Sequence, residues 1–437
     1  MELTGKKAHF IGIAGVGMSA LAQMLADHGA RITGSDREES PVTELLEKHG
    51  IRAVIGQRAE NVPEDADVIV YSDSVPESNP ERVRTRELSI PSFSYFQMLG
   101  KVSEGKKIVA VAGTHGKTTT TGMLATILRD AGASPTAIVG SIVKDLGSNY
   151  LAGTSDLFVV EACEYRDHLL ELSPQVLVIT NLEWDHTDYF PSLKALQDTF
   201  QKAIERVPAD GVIVTDPSNS NIAPLLAGAK AEIIDYTQEP AYELRLLGEF
   251  NQQNARAAAA AARAIAPDIS DEMIVKSLET FQGTWRRFEY KGKTMNGSDV
   301  YDDYAHHPTA VRETLKALRA KVSGPPPHGS GEASKIIIAF HPHLYSRTRD
   351  LLDEFAVAFA DADQVYIAPI YAAREVDDGS ISSEILAERI RATGTEATAL
   401  NSFDSIERVL AEVESCDTII TMGAGDIYKV ADALVQK

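Results

Sequence analysis

Cysteine is nearly absent: the 437 residues contain two, Cys163 and Cys416. Two thiols far apart and outside any metal-ligand spacing exclude a disulfide framework, and they match a reducing compartment. Positive charge is also short. Lys and Arg total 42 against 63 Asp and Glu, a formal net charge of −21. Such a surface repels nucleic acid and anionic membrane, so neither is an expected partner, and a phosphate-bearing ligand needs a local site. No apolar run approaches the roughly 20 residues of a membrane span. The opening MELTGKKAHF has no apolar signal core. The expectation is a cytoplasmic enzyme-sized chain with no membrane contact and no short-period repeat.

What is present is ordinary globular composition, 44% apolar and 24% charged, at a length for roughly two to four domains. Strand and helix patterns alternate. AHFIGIA, RITGSD and DVIVYSD read as strands, with MSALAQMLADHG and TELLEKHG as helices between them. That alternation predicts parallel βαβ units. A second set opens at KKIVAVAG and continues through DLFVVEA, QVLVITN and DGVIVTD to the helix NARAAAAAARAIA. A third runs through DVYDDY, KIIIAF, DQVYIAPI and DTIITMGAG. The stretch GPPPHGSGEAS reads as a mobile surface loop within the third set rather than a linker. The expected fold is α/β in three domains, cut at 1–104, 105–284 and 285–437.

The stretch VAVAGTHGKTTTTG carries the sharpest chemistry. A strand, a glycine turn, then Lys117 and Thr118 opening a helix make a phosphate cradle, with backbone N–H groups aimed at the anion. Lys117 would reach the terminal phosphates, and the Thr118 hydroxyl would ligate Mg²⁺. Val111 and Ala112 stand upstream of Gly113, so the first glycine of the usual motif is missing. Acidic groups at neighbouring strand ends are needed to hold the metal. Glu161 directly abuts an apolar run and is preferred to Glu164, while another strand end delivers Asn181, Glu183, Asp185 and His186. Residue chemistry alone does not nominate His186, because Mg²⁺ prefers oxygen. Gly15 to Ala20 fits a G-x-G-x-x-[GA] fingerprint, and Asp36 closes the next strand. This reads directly as dinucleotide binding, yet the same turn can receive any diphosphate, including that of a UDP-sugar. In the third set, Asp302, Asp303, His306 and His307 end one strand. His341, His343, Tyr345, Arg347 and Arg349 follow another, a cluster suited to carboxylate or phosphate.

Taken together, the stretches HFIGIAGVGMSALA, AGTHGKTTTT, VVEACE, ITNLEWDHTDYF, GEFNQQNARAA, FQGTWRRFE, DDYAHHPTAV, FHPHLYSRTRDLLDEF and MGAGDI resemble the Mur ligases along nearly the whole chain. The resemblance implies a Rossmann-like UDP-sugar domain, a central P-loop ATPase-like domain and a C-terminal Rossmann-like ligase domain. It implies ATP and Mg²⁺ as cofactors, and amide formation through an acyl phosphate. The closest likeness is to the alanine-adding branch, which implies UDP-N-acetylmuramate and L-alanine as substrates and a monomer or weak homodimer. The alternative is the tripeptide-recycling branch acting on the same UDP-sugar. Residue by residue, it implies ATP contacts at Gly113, Thr114, His115, Gly116, Lys117, Thr118, Thr119, Asn251, Asn254, Arg287 and Asp303. Metal contacts fall on Thr118, Glu161 and His186. Substrate contacts fall on Gly15, Gly17, Met18, Ser19, Asp36, His343, Tyr345 and Arg347, and catalysis on Lys117, Glu161, His186, His306 and Arg347. Three positions depart from the alanine-adding pattern: Cys163 replaces aspartate, Phe250 histidine and Leu344 arginine.

Overall fold

The apolar runs that stop at a glycine or an acidic residue form the strands of three sheets. The structure, a computed structural model, describes residues 3–323, 334–414 and 417–436. Cys416 and all but the last residue of the Pro/Gly/Ser stretch lie outside the described residues. The first sheet has five parallel strands in the order Ala53–Ile55, Arg31–Asp36, Lys7–Ile11, Val68–Tyr71, Ser92–Ser94. The order places the first strand in the middle, so the chain reverses direction across the sheet there and opens a crevice at the strand ends. Register pairs Ile11 with both Ser35 and Tyr71. Gly12 and Ser72, just past their strands, and Asp36, the last residue of its own, therefore share one level.

The second sheet has seven strands: Glu232–Asp235, Val212–Thr215, Val176–Ile179, Lys107–Ala112, Leu157–Glu161, Thr136–Val143 and Ser148–Leu151. All pair in parallel except the last, which is antiparallel. Lys107–Ala112 lies between Val176–Ile179 and Leu157–Glu161, with Val111 opposite Glu161 and Ala112 opposite Ile179. The third sheet has the order Glu289–Lys293, Asp299–Asp303, Thr418–Met422, Ile336–Phe340, Gln364–Ile367, Glu396–Ala399, with an antiparallel first pair. The α/β expectation holds, but the two antiparallel strands and several short edge strands do not show in the apolar pattern. They are short or polar, and their pairing rather than their composition makes them strands.

The described chain forms two compact units. One holds residues 1–183, 194–243 and 253–284, the other 184–193, 244–252 and 285–437. In the first, the helix Val16–Asp27 packs on the Thr136–Val143/Ser148–Leu151 hairpin of the second sheet. Fully buried Asn149 fastens it, donating to Val16 O at 2.5 Å and Ser19 Oγ at 2.9 Å and accepting from Gln23 Nε2 at 3.1 Å. A core of Phe340, Phe355, Phe359, Leu315 and Ile338 fills one face of the third sheet, with Trp184 and Phe250 packed against it. The two short segments thus join the last unit through their aromatics.

The first sheet buries one charge outright. Glu81 accepts from Ser35 Oγ at 2.6 Å, Asn61 Nδ2 at 2.6 Å and Arg58 N at 3.1 Å. Burial opposes its ionisation, but hydrogen bonds from His9, Ser35 and Asn61 outweigh that and hold its carboxyl below the usual range. A depressed carboxyl stabilises above its unfolded pKa of about 4.3 and loses that contribution as pH falls through the folded value. The urea midpoint should therefore exceed that of Glu81→Gln by a constant margin between neutral pH and about 5. The margin should shrink in stronger acid; one that grows there would contradict the assignment.

Candidate functional site

The site of the first unit is built on the turn Gly113–Gly116. Gly113 has φ +124° and Gly116 φ +82°, a region that L side chains avoid. A Cβ on Gly113 would stand 2.2 Å from Thr180 Oγ1, and one on Gly116 2.2 Å from Asn254 Oδ1. Glycine is thus required twice, by conformation and by space. The turn is stitched to the next strand end. His115 N donates to Asn181 Oδ1 at 2.9 Å, Thr180 Oγ1 to His115 O at 2.6 Å, and Thr114 Oγ1 to Glu183 O at 3.0 Å. Gly116 caps the helix Lys117–Asp130 without a side-chain capping bond, and the first turn carries no acidic residue. Such an N-terminus carries partial positive charge and favours an anion.

Lys117 folds over this turn. Its Nζ donates to Gly113 O at 2.5 Å, Thr114 O at 3.2 Å and Glu164 Oε1 at 3.1 Å. Burial works against its charge, but Glu164, with Glu161 behind it, raises its pKa, so it stays protonated. The following threonines divide their work. Thr120 and Thr121 are fully buried; one bonds Asn254 and the other Lys117 O. Thr118 and Thr119 are buried at the start of the helix. Glu161 accepts from Gly140 N at 2.9 Å, and a Cβ on Gly140 would lie 2.1 Å from that carboxylate oxygen. Gly140, which nothing in the sequence singles out, makes room for the acid. The Cys163 thiol is pushed up to about 12, first by burial and then by Glu164, and is neutral.

The first sheet's glycine turn is held by Asp36, which accepts from Ala14 N at 2.8 Å and Arg37 N at 2.7 Å. Asp36 thus braces the turn. Gly17 is needed by the protein itself: a Cβ there would meet the Tyr95 ring at 2.7 Å. Gly15 is roomier, its nearest neighbours being 3.4 Å away. Met18 and Ser19 are buried, and the Ser19 hydroxyl donates to Val16 O.

The second unit gathers its own cluster. Buried Arg347 donates from Nε to Asp185 Oδ1 at 2.8 Å and from Nη1 to His343 Nδ1 at 3.1 Å. Burial disfavours the Asp185 charge, but the Arg347 guanidinium above all holds it well below the carboxylate range. Burial and Arg347 push His343 down to about 3 and His306 well below the usual histidine value, so both rings are neutral. His306 Nδ1 lies 2.8 Å from Tyr304 O, which fixes the proton on Nδ1 and leaves Nε2 as an acceptor. Leu344, at φ +73°, is buried at the start of the helix Tyr345–Asp350. Burial and the nearby Asp377 raise the Tyr345 hydroxyl above the usual tyrosine value. Asp303 accepts from Phe288 N and Ala305 N, each at 2.6 Å; burial outweighs these bonds and nearby Arg287, raising its carboxyl to about 6. Arg287 lies over the Tyr304 ring, 4.8 Å from its centroid. Asn251 donates to Leu247 O, and His186 has φ +53°.

Of the sequence-expected residues, Gly15 to Ser19, Asp36, Gly113 to Thr119, Glu161 and Asn254 lie in the first unit. His186, Asn251, Arg287, Asp303, His306, His343, Tyr345 and Arg347 lie in the second. Gly140 and Tyr95 emerge only from the structure. Glu164 and Asp185 are strand-end acids in the sequence, and their pairing with Lys117 and Arg347 comes from the structure.

The description "Mur ligase family, catalytic domain" matches residues 7–107, "Mur ligase middle domain" residues 111–242, and "Mur ligase, glutamate ligase domain" residues 286–425. The chain belongs to the Mur ligase family. It is 39% identical over 463 residues to the UDP-N-acetylmuramate–L-alanine ligase of Acetivibrio thermocellus, covering 99% of this chain and 96% of that one. It is 36% identical over 458 residues to the enzyme of the same name in Clostridium novyi, covering 99% and 97%. Among solved structures, the UDP-N-acetylmuramate-alanine ligase of Thermotoga maritima superposes with a TM-score of 0.79 at 28% identity over 98% of both chains. A murein peptide ligase of Psychrobacter arcticus shares the fold at TM-score 0.75 and 23% identity, covering 99% of this chain and 98% of that one. As a Mur ligase, the chain carries its three family domains on the three sheets described above. No described helix is long and apolar enough to cross a membrane.

The Arg347–Asp185 pair is buried, so removing one partner strands the other. Asp185→Leu should cost about 3–5 kcal/mol of stability, and Asp185→Leu with Arg347→Leu should recover most of it. A denaturation cycle showing additive losses would mean the two side chains are not coupled.

Proposed function

We propose that this Mur ligase joins L-alanine to the carboxylate of UDP-N-acetylmuramate at the expense of ATP, in peptidoglycan synthesis. The observation that carries the reading is the Lys117 turn in a chain that matches alanine-adding relatives end to end at 36–39% identity. The tripeptide reading is supported less: its solved relatives match at 23% identity over the whole chain and at 29% over 64% of it, below the 36–39% of the alanine-adding relatives.

In this reading the substrate carboxylate takes the γ-phosphoryl group of ATP, ADP leaves, and the amine of alanine attacks the resulting acyl phosphate and expels phosphate. The residues present fit a nucleotide: a tight turn whose two glycines are fixed by positive φ and close packing, an uncapped helix N-terminus and a lysine held charged. They also fit Mg²⁺, because the Thr118 hydroxyl and the Glu161 carboxylate offer oxygen. Bound Mg²⁺ would neutralise developing charge on the phosphates. His186 is the family-implied ligand of a second metal position, despite a nitrogen donor. Lys117 stabilises charge on the transferring group. Gly113, Thr114, His115, Gly116 and Thr119 shape the phosphate cradle, Asn251 and Asn254 belong to the adenine segment, and Arg287 and Asp303 contribute ATP contacts. The Gly15–Gly17 turn, with Met18, Ser19 and Asp36 behind it, receives the UDP diphosphate. Arg347, His343 and Tyr345 bind the amino-acid side of the reaction, and His306 presents a neutral Nε2 to the amine.

Lys117→Ala should abolish ADP release dependent on both UDP-N-acetylmuramate and L-alanine, with UDP-sugar affinity by calorimetry within about twofold of wild type. Wild-type protein that released ADP with the murein tripeptide and not with L-alanine would overturn the substrate assignment.

A further inference from the structure

Two buried polar atoms at one place in the first unit make no hydrogen bond among the described residues: Oδ2 of Asp73 and Nδ1 of His168. They belong to different sheets' connections. Asp73 follows the strand Val68–Tyr71, and His168 lies in the 3₁₀ segment Tyr165–Glu171 beyond Glu161 and Glu164. His168 Nε2 stands 3.6 Å from Asp73 Oδ2. That is too long for a hydrogen bond, but short enough for one hydroxyl to accept from the imidazole while donating to the carboxylate.

The location gives the pair a meaning. Register sets Ser72 level with Gly12, and a Cβ on Gly12 would stand 3.2 Å from both Ser72 Cβ and Val75 Cγ2. The Ser72–Val75 loop is therefore a side wall of the glycine turn. His168 stacks on Phe96 with ring centroids 4.0 Å apart and planes at 17°. Phe96 adjoins Tyr95, the ring that closes on Gly17, and Tyr95 in turn feels the charge of Glu161. Tyr95, Phe96, His168 and Asp73 thus form a chain of contacts that links the glycine turn to the strand end carrying Glu161. A UDP-sugar with its diphosphate at the first and its carboxylate at the second must lay its hexose between them. If the pair were only an interdomain strut, direct bonding would cost nothing. Instead Nε2 and Oδ2 stand just beyond hydrogen-bond reach, and Asp73 Oδ2 makes no hydrogen bond among the described residues.

We propose that Asp73 and His168 are the residues that recognise the hexose of the UDP-sugar, through a hydroxyl held between carboxylate and imidazole. This rests on the UDP-sugar reading above. The test is calorimetry on the full chain with UDP-N-acetylmuramate and, separately, with UDP, for wild type, Asp73→Asn and His168→Phe; the last keeps an aromatic ring stacked on Phe96. Each variant should weaken UDP-N-acetylmuramate about tenfold or more and leave UDP within about twofold, with the KM for ATP unmoved. Equal weakening of both ligands, or of neither, overturns the proposal, the first showing a structural role. Wild-type protein that binds neither ligand overturns the UDP-sugar reading together with it.

Discussion

The structure depends on a left-handed backbone residue pressed against a side chain. Gly116 turns the chain at φ +82° with Asn254 Oδ1 occupying the space any Cβ would need. That contact brings the alanine-rich helix against the phosphate turn, and Asn181, Thr180 and Glu183 fix the turn from the other side. The helix Lys117–Asp130 therefore begins at a defined point with its amide groups exposed to whatever the turn holds. Lys117, Glu164 and Glu161 take their positions from the same frame: Val111 pairs with Glu161 two residues before the turn opens at Gly113.

In a chain of net charge −21 the buried cations are each held in place by an acid. Lys117 is kept charged by Glu164, and Arg286 is clamped by Asp302 and the carbonyls of Gly423 and Gly425. Arg347 is held by Asp185. In each case the acid supplies orientation, and the low dielectric around it makes that orientation costly to lose. Neutral Cys163 beside Lys117 leaves the nearby charge to Glu161 and Glu164.

Much of this was legible in the sequence, because it rests on local pattern. Strand, glycine turn and lysine at 107–118 are adjacent residues, and so are strand and glycines at 7–17. What was not legible depends on residues distant in sequence. Gly140 matters only because Glu161 lies across from it, and Gly17 reads as a ligand-facing glycine until Tyr95 is seen against it. Asp185 looks like one more loop acid in an acidic chain until Arg347, 162 residues away, is found on its carboxylate. The edge strand Ser148–Leu151 carries Asn149, whose pairing with Ser19 and Gln23 no periodicity announces.

Under the proposed function, the UDP-sugar carboxylate is activated by phosphorylation at the Lys117 turn. Oxygen-18 placed in the carboxylate of UDP-N-acetylmuramate follows that chemistry directly. In the presence of ATP and L-alanine, one labelled oxygen should appear in the inorganic phosphate for each amide formed, by mass spectrometry. Amide formation with unlabelled phosphate, the label passing instead to water or to a nucleotide monophosphate, would contradict it.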